Sequence, residues 1–200
     1  MISSQLYLLV FMLVFFSVVF LFRSYLLWKQ TGINPMTFDT SADDAHSFNG
    51  VIFKGLIFLE LGLVLCFAFG GNWSQYLLPF WYLDNHYLQI VGWILLHFSL
   101  IWIFIAQIQM ANSWRIGIDY ENKTELITTG LFRYSRNPIF LGIIIADLGV
   151  LFIMPNAFTL LVVSLSVYSV QIQVRLEEIF LKENHGQYYL EYLENVSRWI

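Results

Sequence analysis

Apolar runs alternate with short polar stretches along the whole chain. The first run, LYLLVFMLVFFSVVFLFRSYLLW (6–28), exceeds the roughly 20 apolar residues that carry a helix across a bilayer. It lacks a basic leader and a small-residue cleavage site, so it reads as a retained helix, not a signal peptide. A polar loop (29–50) with Pro35 and two glycines precedes a second span at roughly 51–70, which stops at Gly70-Gly71. The aromatic-rich stretch 72–86 suits an interfacial belt, and a third span follows at roughly 87–108. Residues 109–137 form the most polar segment and hold Arg115, Lys123, Arg133 and Arg136. A fourth apolar helix, roughly 138–154, ends at Met154-Pro155-Asn156, a tight turn into a fifth at roughly 157–175. That helix continues out of the membrane, breaks at His185-Gly186, and gives way to a Tyr-rich amphipathic helix.

The pattern predicts an all-α integral membrane protein: about five transmembrane helices, a helical hairpin near the C-terminus, and a cytoplasmic amphipathic helix at the end. No repeat or low-complexity segment divides it, so residues 1–200 read as one polytopic domain. Composition agrees. Of 200 residues, 58% are hydrophobic and 12% charged, about half the charged fraction of a soluble domain. Lys and Arg crowd the side shared by loops 29–50 and 109–137 and the C-terminus, while 72–86 has none. The positive-inside rule places the N-terminus outside and the tail in the cytoplasm. The polar segments 109–137 and 171–200 therefore meet at the cytoplasmic face, where chemistry is expected. No basic stripe points to nucleic acid. Cys66 is the single cysteine, and no Cys/His cluster has metal-ligand spacing, so no metal is expected.

Three clusters are candidates. Arg175, Glu177 and Glu178 lie where the last long helix leaves the bilayer. Arg175/Glu178 at i, i+3 and Glu178/Lys182 at i, i+4 share a face, which a surface salt-bridge ladder would explain. Adjacent carboxylates diverge by about 100° on a helix, however, so one of the pair must face the bundle. Arg133, Tyr134, Arg136 and Asn137 precede a helix that starts at Pro138. Snorkelling explains the arginines, yet a helix N-terminus with a fixed cation also suits a carboxylate-bearing ligand. NSWRIGID (112–119) places Trp114-Arg115 at the interface. Within the spans, Glu60, His97 and Asp147 are either functional or paired. Dinucleotide, P-loop, serine-hydrolase and zinc-protease signatures do not occur.

The order of motifs is more specific than any one of them. GLFRYSRNPIFLG, followed by RLEEIFLKENHGQYYLEYLENVSRWI, resembles the isoprenylcysteine carboxyl methyltransferase family and the related phospholipid N-methyltransferases. Their pattern is G-x-[YF]-x-x-x-R-[HN]-P-x-[YF]-x-G, a hairpin, then E-E-x-x-L and G-x-x-Y-x-x-Y. The likeness covers roughly 110–200, and NSWRIGID looks like the stretch before it in the bacterial branch. It implies an S-adenosyl-L-methionine-dependent membrane methyltransferase without a Rossmann domain. Tyr134, Arg136, Asn137, Pro138 and Gly142 match its first cofactor motif, Glu177 and Glu178 the acidic motif, and Tyr188 and Tyr192 the tail tyrosines. Asn137 stands where carboxyl methyltransferases usually have His, and it cannot carry a proton at neutral pH.

By this resemblance a lipid or prenylated substrate enters from the bilayer, and its head meets the methyl donor at the cytoplasmic face. A carboxylate acceptor needs a cationic clamp, Arg115 or Arg175. An amine acceptor needs a base, a role open to Glu178 if burial makes it more basic. A phospholipid N-methyltransferase, an NADPH-dependent membrane reductase and a non-catalytic membrane scaffold are the alternatives. A bacterial inner membrane is favoured over an endomembrane.

Overall fold

The computed structural model describes residues 4–35, 44–119 and 124–200; Lys123 lies outside them. The described residues form an all-α membrane protein with four helices long and apolar enough to cross a bilayer and one shorter apolar helix. The long ones are α1 (Ser4–Thr31), α2 (Ala45–Phe69), α3 (His86–Met110) and α5 (Ala157–His185). The shorter one, α4 (Pro138–Ile153), is followed across the Met154-Pro155 turn by α5, and α6 (Gln187–Asn195) closes the chain.

The helix starts have local causes. Asp44 accepts the Ser47 backbone N–H at 2.7 Å, so α2 begins at Ala45 and not near 51. Its polar first turns are tolerated because Asn49 donates to the Ser169 carbonyl and to Gln173 on α5. Asn85 caps α3 by accepting from Leu88 N–H at 3.0 Å, and Asn156 caps α5 by accepting from Thr159 N–H at 2.8 Å. Pro138 at the first position of α4 needs no N–H partner.

Within α1, residues Ser17–Phe22 widen into π-helical turns, which the apolar run did not foretell. Widening misaligns carbonyls, and side chains answer them: Gln107 donates to Val19 O at 2.8 Å, and Ser24 donates to Phe20 O. In a membrane such carbonyls find no water, so these donors stand in for it.

Helix α4 has 16 residues, about 24 Å of helix, which is less than the roughly 30 Å hydrocarbon core. The expected fourth span is thus a short apolar helix laid against α3, and its far end meets the α2–α3 loop, where Phe80 N–H donates to Pro155 O at 2.8 Å. Glycines set that contact. A Cβ on Gly92 would sit 2.7 Å from the Gly149 carbonyl oxygen, and one on Gly142 would sit 2.4 Å from Ile103 Cγ1. Such separations leave no room for a methyl, so the backbones meet directly. Leu96 and Ile103 on α3, Val150 on α4, and Val170 and Val174 on α5 are completely buried around this seam.

Candidate functional site

At one end of the bundle, the start of α4, the end of α5 and the tail come together. The break at Gly186 (φ 54°) turns α6 back across α5. Tyr189 and Tyr192, one turn apart on α6, both face inward. The Tyr192 hydroxyl donates to the Phe132 carbonyl at 2.5 Å, which pins α6 to the segment before α4. Burial holds both phenols above the ordinary tyrosine range, Tyr192 at about 12.

Glu178 is the keystone of this end. Its Oε1 accepts from Arg136 Nη2 at 3.0 Å and Nε at 3.2 Å, and its Oε2 accepts from Arg198 Nη2 at 2.6 Å. Arg136 also donates to the Leu193 and Val196 carbonyls, and the Arg136 N–H to Ser197 O at 3.0 Å. Asn137 Nδ2 donates to Arg198 O at 3.3 Å. Hydrogen bonding to Glu178 raises Arg198 above its ordinary value. The surface ladder is therefore replaced by a buried triad: Glu178 turns toward Arg136 and Arg198, while Arg175 donates to Gln171 on its own helix. A carboxylate that receives N–H groups from four guanidinium nitrogens is strongly favoured as the anion, which is the opposite of a more basic Glu178.

Glu177 points elsewhere. It lines a cleft of about 620 Å³ together with Arg136, Asn137, Pro138, Tyr189 and Tyr192. It also lines a second cleft of about 570 Å³ whose wall includes Arg115, Gln107, Gln173 and the span residues Phe20 and Phe53. The two clefts share Met110, Ile139, Phe140 and Glu177, so this carboxylate stands at their junction. A buried relay orients it: Gln173 Nε2 donates to Glu177 Oε1 at 3.0 Å, and Asn49 Nδ2 donates to Gln173 Oε1 at 3.1 Å. Ile139 and Phe140 belong to the first turn of α4, whose backbone N–H groups have no partner within the helix. The buried Tyr189 hydroxyl in the first cleft has no hydrogen-bond partner among the described residues. Arg115 forms an ion pair with Asp119 at 2.9 Å and donates to the Asn112 and Trp114 carbonyls.

The remaining expected residues fall outside this lining. Tyr134 and Tyr188 project outward, 64% and 56% exposed. Gly142 packs on α3, and Arg175 is exposed. Sequence reasoning missed Tyr189, although the G-x-x-Y-x-x-Y spacing counted from Gly186 lands on Tyr189 and Tyr192. It also missed Arg198, Gln173 and Asn49, for which no local signal exists.

A family model described as phospholipid methyltransferase matches residues 87–188, about half the chain. Protein-S-isoprenylcysteine O-methyltransferase A of Arabidopsis thaliana is 32% identical over 83 residues, which is 41% of this chain and 42% of that protein. The chain thus matches less than half the length of that relative. No solved structure matches. The matched span begins with α3 and runs through the α4–α5 hairpin to the start of α6; it contains Arg115, the start of α4 and Glu177, while Tyr189, Tyr192, Phe20 and Phe53 lie outside it. With that span on an all-α membrane scaffold, the chain belongs to the phospholipid methyltransferase family.

Proposed function

We propose that the whole chain is one polytopic unit that transfers a methyl group from S-adenosylmethionine to a lipidic or prenylated acceptor at the cytoplasmic face of its membrane. The N-terminus is outside and the tail inside, following the Lys/Arg bias; a bacterial inner membrane is the proposed home. The observation that carries this reading is the meeting of two clefts at Glu177. One is lined by the polar tail and helix start, and the other by side chains of the spans.

The first cleft fits a methyl donor. It offers helix-start N–H groups at Ile139 and Phe140 for a carboxylate, a hydroxyl without a partner at Tyr189, and the Glu177 carboxylate for cationic groups. S-adenosylmethionine, when bound, supplies an electrophilic methyl whose transfer is an in-line displacement, so alignment and exclusion of water set the rate. Arg136 and Glu178 act indirectly. They clamp the tail that forms one wall.

The second cleft suits the acceptor, and Arg115 on its wall suits a carboxylate end group that takes the place of Asp119 on the guanidinium. Arg175 is turned away, and Glu178 is occupied by two guanidinium groups. This arrangement favours carboxylate over amine methylation, as in the relative whose name specifies isoprenylcysteine O-methylation.

The test is calorimetric titration of the protein in nanodiscs with S-adenosylhomocysteine, followed by methyl transfer to a prenylated cysteine. Wild type should bind, Glu177→Gln and Tyr189→Phe should bind at least tenfold more weakly, and the prenylated cysteine should be esterified. Heat with NADPH in place of S-adenosylhomocysteine would overturn the reading in favour of a reductase, and heat with neither would favour a scaffold.

A further inference from the structure

Glu60 on α2 and Asp147 on α4, both inside the membrane-spanning bundle, face one narrow cavity with room for about one water-sized group. They are 9% and 4% exposed, and Glu60 Oε1 and Asp147 Oδ2 have no hydrogen-bond partner. Ser166 on α5 hydrogen-bonds to Asp147 and lines the same space. Among the described residues the rest of the wall is apolar, with Phe, Met, Leu, Ile, Val and Ala side chains from α1, α2, α4 and α5, and carries no cationic group. Three oxygen acceptors from three helices thus converge where unpartnered polar atoms are most costly.

Two carboxyl groups sharing a site cannot both ionise, so the pair keeps at least one proton and carries at most one negative charge. That charge has no partner on the wall. An ammonium group matches it in sign, and its three N–H donors match Glu60, Asp147 and Ser166 in number. Asp147 lies nine residues beyond Pro138, about 13 Å along α4. The cavity shares Phe20, Phe53 and Ile143 with the cleft that holds Arg115. A ligand here therefore has an apolar chain that can extend toward that cleft. The adjoining π-helical turns of α1 supply Phe20, and such widened turns recur at functional sites.

We propose that Glu60, Asp147 and Ser166 form a binding subsite for the protonated amine of an amphiphile, with its apolar chain lying along Phe20, Phe53 and Ile143. The site stands on this cavity and does not require the methyl-transfer reading. An amine held there competes with an acceptor lipid for the shared part of the path.

Carbodiimide coupling tests it on the full chain in nanodiscs. The protonated carboxyl adds to the carbodiimide to give an O-acylisourea, the bound ammonium gives a proton to the neighbouring carboxylate, and the freed amine displaces the urea to leave an amide, located by peptide mass spectrometry. Dodecylamine should couple to Glu60 or Asp147, ethylamine at the same concentration should not, and excess dodecanol should not compete. Ser166→Ala should lower the yield about tenfold, the cost of one hydrogen bond to a charged group. Ser164→Ala, on the exposed face of the same helix, should leave it unchanged. No amide at either carboxyl, competition by dodecanol, equal coupling of ethylamine, or an unchanged yield in Ser166→Ala would each overturn the proposal.

Discussion

Glu178→Gln separates a structural keystone from a ligand-binding carboxylate. In wild type the side chain is 9% exposed and is shared by Arg136, itself 8% exposed, and Arg198, 35% exposed. Replacing Glu178 by its neutral isostere leaves the Arg136 charge buried among neutral acceptors, the Leu193 and Val196 carbonyls and the new amide oxygen. Removing one partner of a buried pair costs about 3–5 kcal/mol. Arg198 can turn toward water, so the lower end, about 3 kcal/mol, is expected. For a chain of this size, with about 2–4 °C per kcal/mol, the unfolding midpoint should fall by roughly 6–12 °C. Tryptophan fluorescence during thermal unfolding in nanodiscs reads it. Arg198→Gln, at the more exposed partner, should cost about 1 kcal/mol or less. The double variant should cost less than the sum, because both changes remove one shared interaction. A midpoint within about 2 °C of wild type, with affinity for S-adenosylhomocysteine lost, would refute this and make Glu178 a direct ligand.

Three further expectations follow from the same geometry. Alkaline stability should depend on Tyr192: its folded-state value, about 12, lies above the ordinary 10.0. Its contribution is therefore complete below pH 10 and is lost as pH rises toward 12. A tyrosinate absorbance titration should show Tyr192→Phe removing a phenol that ionises at about 12; its ionisation at the ordinary 10.0 would refute it. Gly142→Val should destabilise by about 1–3 kcal/mol through overpacking against Ile103 and Trp102, measured as a lower unfolding midpoint. Arg115→Ala should raise KM for a carboxylate acceptor about tenfold or more while leaving the donor KM unchanged, whereas Arg175→Ala should change neither. Equal effects of the two arginine variants in a radiolabelled methyl-transfer assay would remove Arg115 from the acceptor cleft.

Much of the architecture is legible in the chain because its causes are local. A run of apolar residues long enough to span dictates a helix wherever it occurs. Pro138, Met154-Pro155-Asn156 and Gly186 mark the hairpin and the tail break by their own backbone chemistry. The motif from Arg136 to Gly142 and the acidic pair point to the working end of the molecule. What local pattern could not reveal is which of two adjacent side chains turns inward. Glu178 and Glu177 are neighbours, yet one is locked by Arg136 and Arg198 and the other stands between two clefts. Tyr188 and Tyr189 divide in the same way.

Those choices depend on how α5 rotates against α2 and α4. That rotation is set by distant contacts: Asn49 bonded to Gln173, backbones touching at Gly92 and Gly149, and a tail carried back to Glu178. The pairing of Glu60 with Asp147 is of the same kind. Each is an isolated charge in an apolar run until helix packing brings the two to one cavity. Periodicity encodes the elements, because each residue's tendency acts within a turn or two. The site exists only once close packing at glycines sets the register between helices.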